Sequence, residues 1–97
     1  MYEIEFAREA LEDLRLFRKF EQKQIIESIE SQLKHKPKVE TRNRKRLRPN
    51  DVAEWELRLG KYRVFYNAHE EVMIVSIEAI GFKIGSMLFI RGEERTL

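Results

Sequence analysis

Residues 54–66 read EWELRLGKYRVFY, two strand-patterned runs that meet at a Gly60-Lys61 turn. No other stretch restricts the fold as much. Because successive side chains of a strand point to opposite faces, Trp55, Leu57, Leu59, Tyr62, Val64 and Tyr66 fall on one side of such a hairpin. Glu56, Arg58, Arg63 and Phe65 fall on the other. The aromatic-aliphatic face needs a core against it, and the charged face is where function is to be sought.

The rest of the chain supplies that core. Residues 2–6 alternate Tyr2, Ile4 and Phe6 with Glu3 and Glu5, the pattern of a short strand with one buried face. From Ala7 to about Lys19, Ala7, Ala10, Leu11, Leu14 and Phe17 recur at helical spacing, with Glu9, Glu12 and Asp13 toward the N-terminal half, where the helix dipole favours acids. A second stripe, Ile25, Ile26, Ile29 and Leu33, begins near Glu21, so two antiparallel helices joined around residues 18–20 are expected. Pro37 lacks an N–H and disfavours helical geometry at Lys36, which stops the second helix near Lys34 or His35.

Pro49-Asn50-Asp51 is a turn signal that launches the hairpin. After a connection at residues 67–71, residues 72–80 are too apolar for anything but a central strand. Met73, Val75, Ile77 and Ala79 are expected to face the helices, leaving Ser76 and Glu78 on the side of Glu56, Arg58 and Arg63. Gly81 and Gly85 bracket Phe82, Lys83 and Ile84 in an expected loop suited to close approach of another molecule. Residues 86–90 read as a short strand, and Gly92 as a turn into the tail. The sum is one α+β domain over residues 1–97: an N-terminal strand, an αα-hairpin, then a mainly antiparallel sheet of three or four strands with the helices packed on one face.

Composition narrows the function classes. The chain is 42% hydrophobic and 37% charged and has no cysteine, which excludes disulfides, thiolate chemistry and sulfur-ligated zinc. His35, read as a helix-end residue, and His69 do not by themselves make a metal site, so neither metal nor cofactor is expected. The opening MYEIEFAREAL lacks the basic and apolar regions of a secretion signal, and no run of about 18 apolar residues occurs. A cytoplasmic protein without membrane contact is expected. The net charge of +2 conceals an asymmetry: Lys34, Lys36, Lys38, Arg42, Arg44, Lys45, Arg46 and Arg48 cluster against Glu40 alone, and the remainder is net acidic. Such a run beside the hairpin favours a polyanion, because each phosphate neutralised by Lys or Arg releases counterions.

Taken together, the N-terminal EIEF strand followed by AREALEDL, the KRLRP segment, the WELRLGKYRVFY hairpin and the IEAIG run resemble the RelE/ParE superfamily of bacterial type II toxins over nearly the whole chain. That resemblance implies a cognate antitoxin whose tail wraps the toxin. It also implies one of two activities: the RelE branch cleaves messenger RNA in the ribosomal A site, and the ParE branch inhibits DNA gyrase. In RelE-type enzymes the hairpin face, an arginine after an aromatic, and a post-strand arginine and tyrosine carry the site. The matching positions here are Glu56 and Arg58, Arg63 after Tyr62, Lys83, and Phe89 where the tyrosine falls. Glu56 replaces a base and Phe89 lacks a hydroxyl, so the RelE chemistry does not transfer unchanged.

Cleavage by a 2′-OH needs a proton acceptor, a cation near the phosphorane oxygens and an acid for the leaving oxygen. The guanidinium fork suits the second task. Arg58 and Arg63, helped by Lys83, are the expected phosphate ligands, with Glu56 or Glu78 as proton acceptor. Arg42, Arg44, Lys45, Arg46 and Arg48 are the expected contacts to ribosomal RNA, and Phe65 can stack on a base. Tyr66 faces inward, Trp55 anchors the core, and His69 reaches the face only if its turn folds over it. The favoured reading is a ribosome-dependent, metal-independent endoribonuclease. A ParE-like inhibitor of gyrase, with the basic run serving solubility, DNA contact or antitoxin capture, is the alternative. A plainer reading of the Glu and Arg residues is a surface ladder worth about 0.2–1 kcal/mol per pair.

Overall fold

The alternation in residues 54–66 builds the expected hairpin within a computed structural model that describes residues 1–97. Strand β1 (Glu3–Phe6) leads into α1 (Arg8–Arg15) and α2 (Lys19–Leu33). Then follow β2 (Arg44–Arg46), β3 (Trp55–Leu59), β4 (Tyr62–His69), β5 (Ile74–Ile84), β6 (Met87–Ile90) and β7 (Glu93–Arg95). The strands form one sheet in the order β2-β3-β4-β5-β6-β7, antiparallel throughout, and β1 adds in parallel beside the first half of β5. This is the expected α+β architecture with more strands than the sequence indicated.

The helices cover one face. Ala10 and Leu14 of α1 and Ile25, Ile29 and Leu33 of α2 pack on Trp55, Leu57, Val64, Tyr66, Val75 and Ile77. Ile26, assigned to the same stripe, is instead 37% exposed. Glu21 starts α2 by accepting the Arg18 N–H at 3.0 Å. It also accepts the Tyr62 hydroxyl, tying the helix to the β3–β4 turn. At the other end the chain leaves the helix before Pro37, and Lys36 adopts a left-handed conformation at φ 51. The buried Tyr66 hydroxyl then donates to the Pro37 carbonyl at 2.7 Å and fixes the loop, its pKa pushed up by burial.

Four expectations need correction. The basic segment contains a strand, β2, where no apolar alternation announced one; its ladder to β3 holds it. A bulge separates the Phe65–Ala79 and Tyr66–Ile77 pairs, so Glu78 has no partner on β4. Beyond it the alternation of β5 inverts: Ala79 turns away from the helices and Ile80 faces them. Met73 is in the β4–β5 turn at φ 56 and is 40% exposed. Phe82, Lys83 and Ile84 are strand rather than loop, because β5 continues to pair with β6. Gly81 does serve a close approach, but within the chain: a Cβ there would lie 2.3 Å from the Phe89 carbonyl oxygen.

A second, smaller core lies on the opposite face of the sheet. Phe65 and Ala79 are covered by Leu88 and Ile90 of β6 and by Ala53, with Leu47, Val52 and Leu97 at the margin. The loop before β3 is pinned by Asn50, whose side chain accepts the Val52 and Ala53 N–H groups and donates to the Arg48 and Ala53 carbonyls.

Candidate functional site

A groove of ≈ 240 Å³ lies beside this second core, lined by Leu47, by Glu56 and Arg58 of β3, Lys83 of β5, Ser86 in the β5–β6 turn, Leu88 of β6, and residues 94–97. Strand geometry explains the gathering. Lys83 pairs with Leu88, and Leu88 with Arg95, so these three form a row across β5, β6 and β7. Arg58 pairs with Arg63 and Glu56 with Phe65 on the same face.

Within that face Glu56 gathers the two arginines, although Arg63 Nε itself makes no hydrogen bond. Arg58 Nε donates to Glu56 Oε1 at 2.8 Å, and Arg63 Nε lies 3.9 Å from Glu56 Oε2. The Glu56 side chain is only 7% exposed, whereas that of Arg58 is 45% exposed. Arg63 turns toward the hairpin tip and donates from one terminal nitrogen to the Gly60 carbonyl at 2.5 Å and the Tyr62 carbonyl at 2.9 Å. Burial disfavours its charge and lowers its pKa; the Glu56 carboxylate opposes that effect. Of the three cations matched to the family positions, Arg58 and Lys83 therefore line the groove and Arg63 supports it from below.

The remaining candidates separate. Glu78, beside the bulge, receives a long 3.4 Å hydrogen bond from Asn67 and does not line the groove. Phe65 has no face for a base to stack on, because it is fully buried under Ala53, Ala79, Leu88 and Ile90. Phe89 points to the opposite side of the sheet, stacked on Phe82 at 5.6 Å, so even a hydroxyl there would miss the groove. His69 is exposed at the far end of β4 and does not line the groove, so the condition set for its role is not met.

The basic segment divides by register. Lys45 pairs with Glu56 and shares the groove face, whereas Arg44 and Arg46 pair with Leu57 and Trp55 and lie on the helix side. Arg44 is committed to structure: its guanidinium donates to the Gln32 carbonyl at 2.7 Å and the Val39 carbonyl at 3.1 Å. Arg46 lies over the Trp55 ring at 5.7 Å and, like Arg42 and Arg48, is exposed. Sequence reasoning missed Asp13, a fully buried carboxylate that accepts the Ile80 N–H at 3.0 Å and pairs with Arg91 at 2.9 Å. Its only signal was an acid on the apolar side of α1, between Ala10 and Leu14.

The family model described as "ParE toxin of type II toxin-antitoxin system, parDE" matches residues 4–81. The chain belongs to that family. Within the wider RelE/ParE superfamily, this ParE-family toxin has the fold of the RelBE2 toxin-antitoxin complex from Mycobacterium tuberculosis. The TM-score is 0.72 at 24% identity, covering 84% of this chain and 98% of that one. The archaeal RelE-RelB complex from Pyrococcus horikoshii OT3 is similar at TM-score 0.64 and 18% identity, covering 81% and 91% respectively. No match was found among curated proteins. The match to the family model ends before β6 and β7, so the C-terminal hairpin of this toxin lies outside the part it describes.

Proposed function

We propose that this toxin, acting as one cytoplasmic domain, inhibits its target by binding it in the manner of ParE toxins, with DNA gyrase as the target. The observation that carries this reading is the state of Glu56. Its side chain is only 7% exposed and is hydrogen-bonded to Arg58 Nε at 2.8 Å, so a substrate hydroxyl has little access to it as a proton acceptor. Neither Phe89 nor His69 reaches the groove to act as an acid. Arg58 and Lys83 can still hold an anionic group on the target, and Arg42, Lys45, Arg46 and Arg48 can hold DNA bound to it. A cognate antitoxin, a small partner with apolar and acidic side chains, restrains the toxin; both fold relatives are toxin-antitoxin complexes, which supports this.

A second reading keeps the ribosome-dependent endoribonuclease, with messenger RNA in the groove and ribosomal RNA against the basic segment. The shared face of Lys45, Arg58 and Lys83 favours it, since cations near a phosphorane accelerate cleavage even without an ideal acid-base pair. One experiment separates the two: tightly controlled expression of the parent and of Arg58→Ala, reading plasmid supercoiling, message integrity and translation. Binding inhibition predicts altered supercoiling with intact messages. Cut messages that become intact in Arg58→Ala would overturn it in favour of cleavage.

A further inference from the structure

We propose that residues 93–97 form an autoinhibitory strap, which covers the Lys83 end of the groove while leaving Arg58 45% exposed, and opens about the Arg91-Gly92 turn. The inference rests on the reading above in one respect, that this groove meets the target. Two parts of the chain build the groove. Glu56, Arg58 and Lys83 come from the central strands, and Glu94, Arg95, Thr96 and Leu97 line it from the tail.

The strap is fastened lightly along its length. β7 is three residues long and pairs only with β6, so its outer edge is open. Beyond that it is held by one hydrogen-bonded ion pair, Arg95 to Asp51 at 2.6 Å with the Asp51 side chain 82% exposed, and by partly buried Leu97. An exposed pair of this kind contributes about 0.2–1 kcal/mol. Its base is fixed differently. Arg91 and Gly92 both have positive φ, 53 and 78, which is the two-residue turn that matches strand twist. For a non-glycine residue that conformation is unfavourable, and Arg91 is held in it by the buried carboxylate of Asp13. A firm hinge with a weakly tied end opens locally at far lower cost than the sheet unfolds.

The amine of Lys83 reports the opening directly. The full chain, a chain ending at Gly92, and the full-length Arg95→Ala and Asp51→Ala variants are acetylated with limiting reagent, and labelling at Lys83 is read by mass spectrometry against Lys19 on the helix face. The shortened chain is expected to gain roughly fivefold at Lys83 and the two point variants about twofold, with Lys19 unchanged. Unchanged Lys83 labelling in the point variants overturns the strap, whether or not the shortened chain folds. In parallel, supercoiling by purified gyrase is measured with each protein. Greater inhibition by the opened variants supports autoinhibition; faster labelling with equal inhibition overturns it. Faster labelling with no inhibition by any of the proteins leaves the cover in place and refutes the target.

Discussion

Arg58 and Arg63 are directly opposed across the β3–β4 ladder, and Glu56 is the residue that makes this tolerable. Like charges in that position repel at short range. The Glu56 carboxylate reaches both guanidiniums from beneath, and Arg63 disperses its remaining hydrogen-bonding capacity onto the carbonyls of Gly60 and Tyr62. The acid where a cation was expected is thus a structural consequence of two arginines on one face.

Glu56→Ala is expected to destabilise the fold by about 2 kcal/mol, below the full cost of breaking a buried pair because Arg58 is half exposed. Urea denaturation measures it. Double substitution with Arg63→Ala should recover part of the loss, since no buried charge is then left alone. A loss equal to the sum of the single changes would show that the residues are uncoupled.

Phe65→Ala should cost about 3–5 kcal/mol, the usual range for emptying a fully buried aromatic site. Were Phe65 a stacking platform, stability would be unchanged and nucleic-acid affinity would fall. Thermal melting and binding of a short single-stranded RNA separate these outcomes.

Arg44 and Arg46 are two positions apart but should behave oppositely. Arg44→Ala removes two hydrogen bonds to backbone carbonyls and should cost about 1–3 kcal/mol. Arg46→Ala should leave stability within about 0.5 kcal/mol of the parent. In duplex DNA binding the same change should lower the slope of log affinity against log salt by about one. Equal effects of the two substitutions on both readouts would contradict the division by register.

Tyr62→Phe tests the tie between α2 and the β3–β4 turn. The Tyr62 hydroxyl holds the Glu21 carboxyl below its ordinary value. A depressed carboxylate contributes stability that is fully present above its unfolded pKa and is lost as pH falls through the folded one. Burial and Glu21 push Tyr62 itself to about 12, so its contribution is present below 10.0 and lost as pH rises toward 12. The variant should flatten stability at both ends of the pH range, and carboxyl NMR titration should show Glu21 moving up.

Much of this was legible in local pattern. Strand alternation located β1 and the β3–β4 hairpin, helical spacing located α1 and α2, and Pro37 located the end of α2, because side-chain periodicity and missing backbone donors act over a few residues. Those signals also carried the resemblance to the toxin superfamily. Other features depended on residues far apart in sequence. The bulge beside Glu78 turns Ala79 over, and two pairings in register put Lys83, Leu88 and Arg95 in a row. Phe65, indistinguishable in sequence from an exposed aromatic, is buried because β6 folds across it.

By itself, then, the sequence determined the two helices, β1, the central hairpin with its apolar face, and the family. Tertiary structure decided what each of the charged residues does. Arg58 and Lys83 line the groove, Arg63 and Arg44 are spent on carbonyls, and Glu56 is spent on the arginines. The reason is physical: alternation assigns a side chain to a face, but burial and hydrogen-bond partners on that face come from strands paired across dozens of residues.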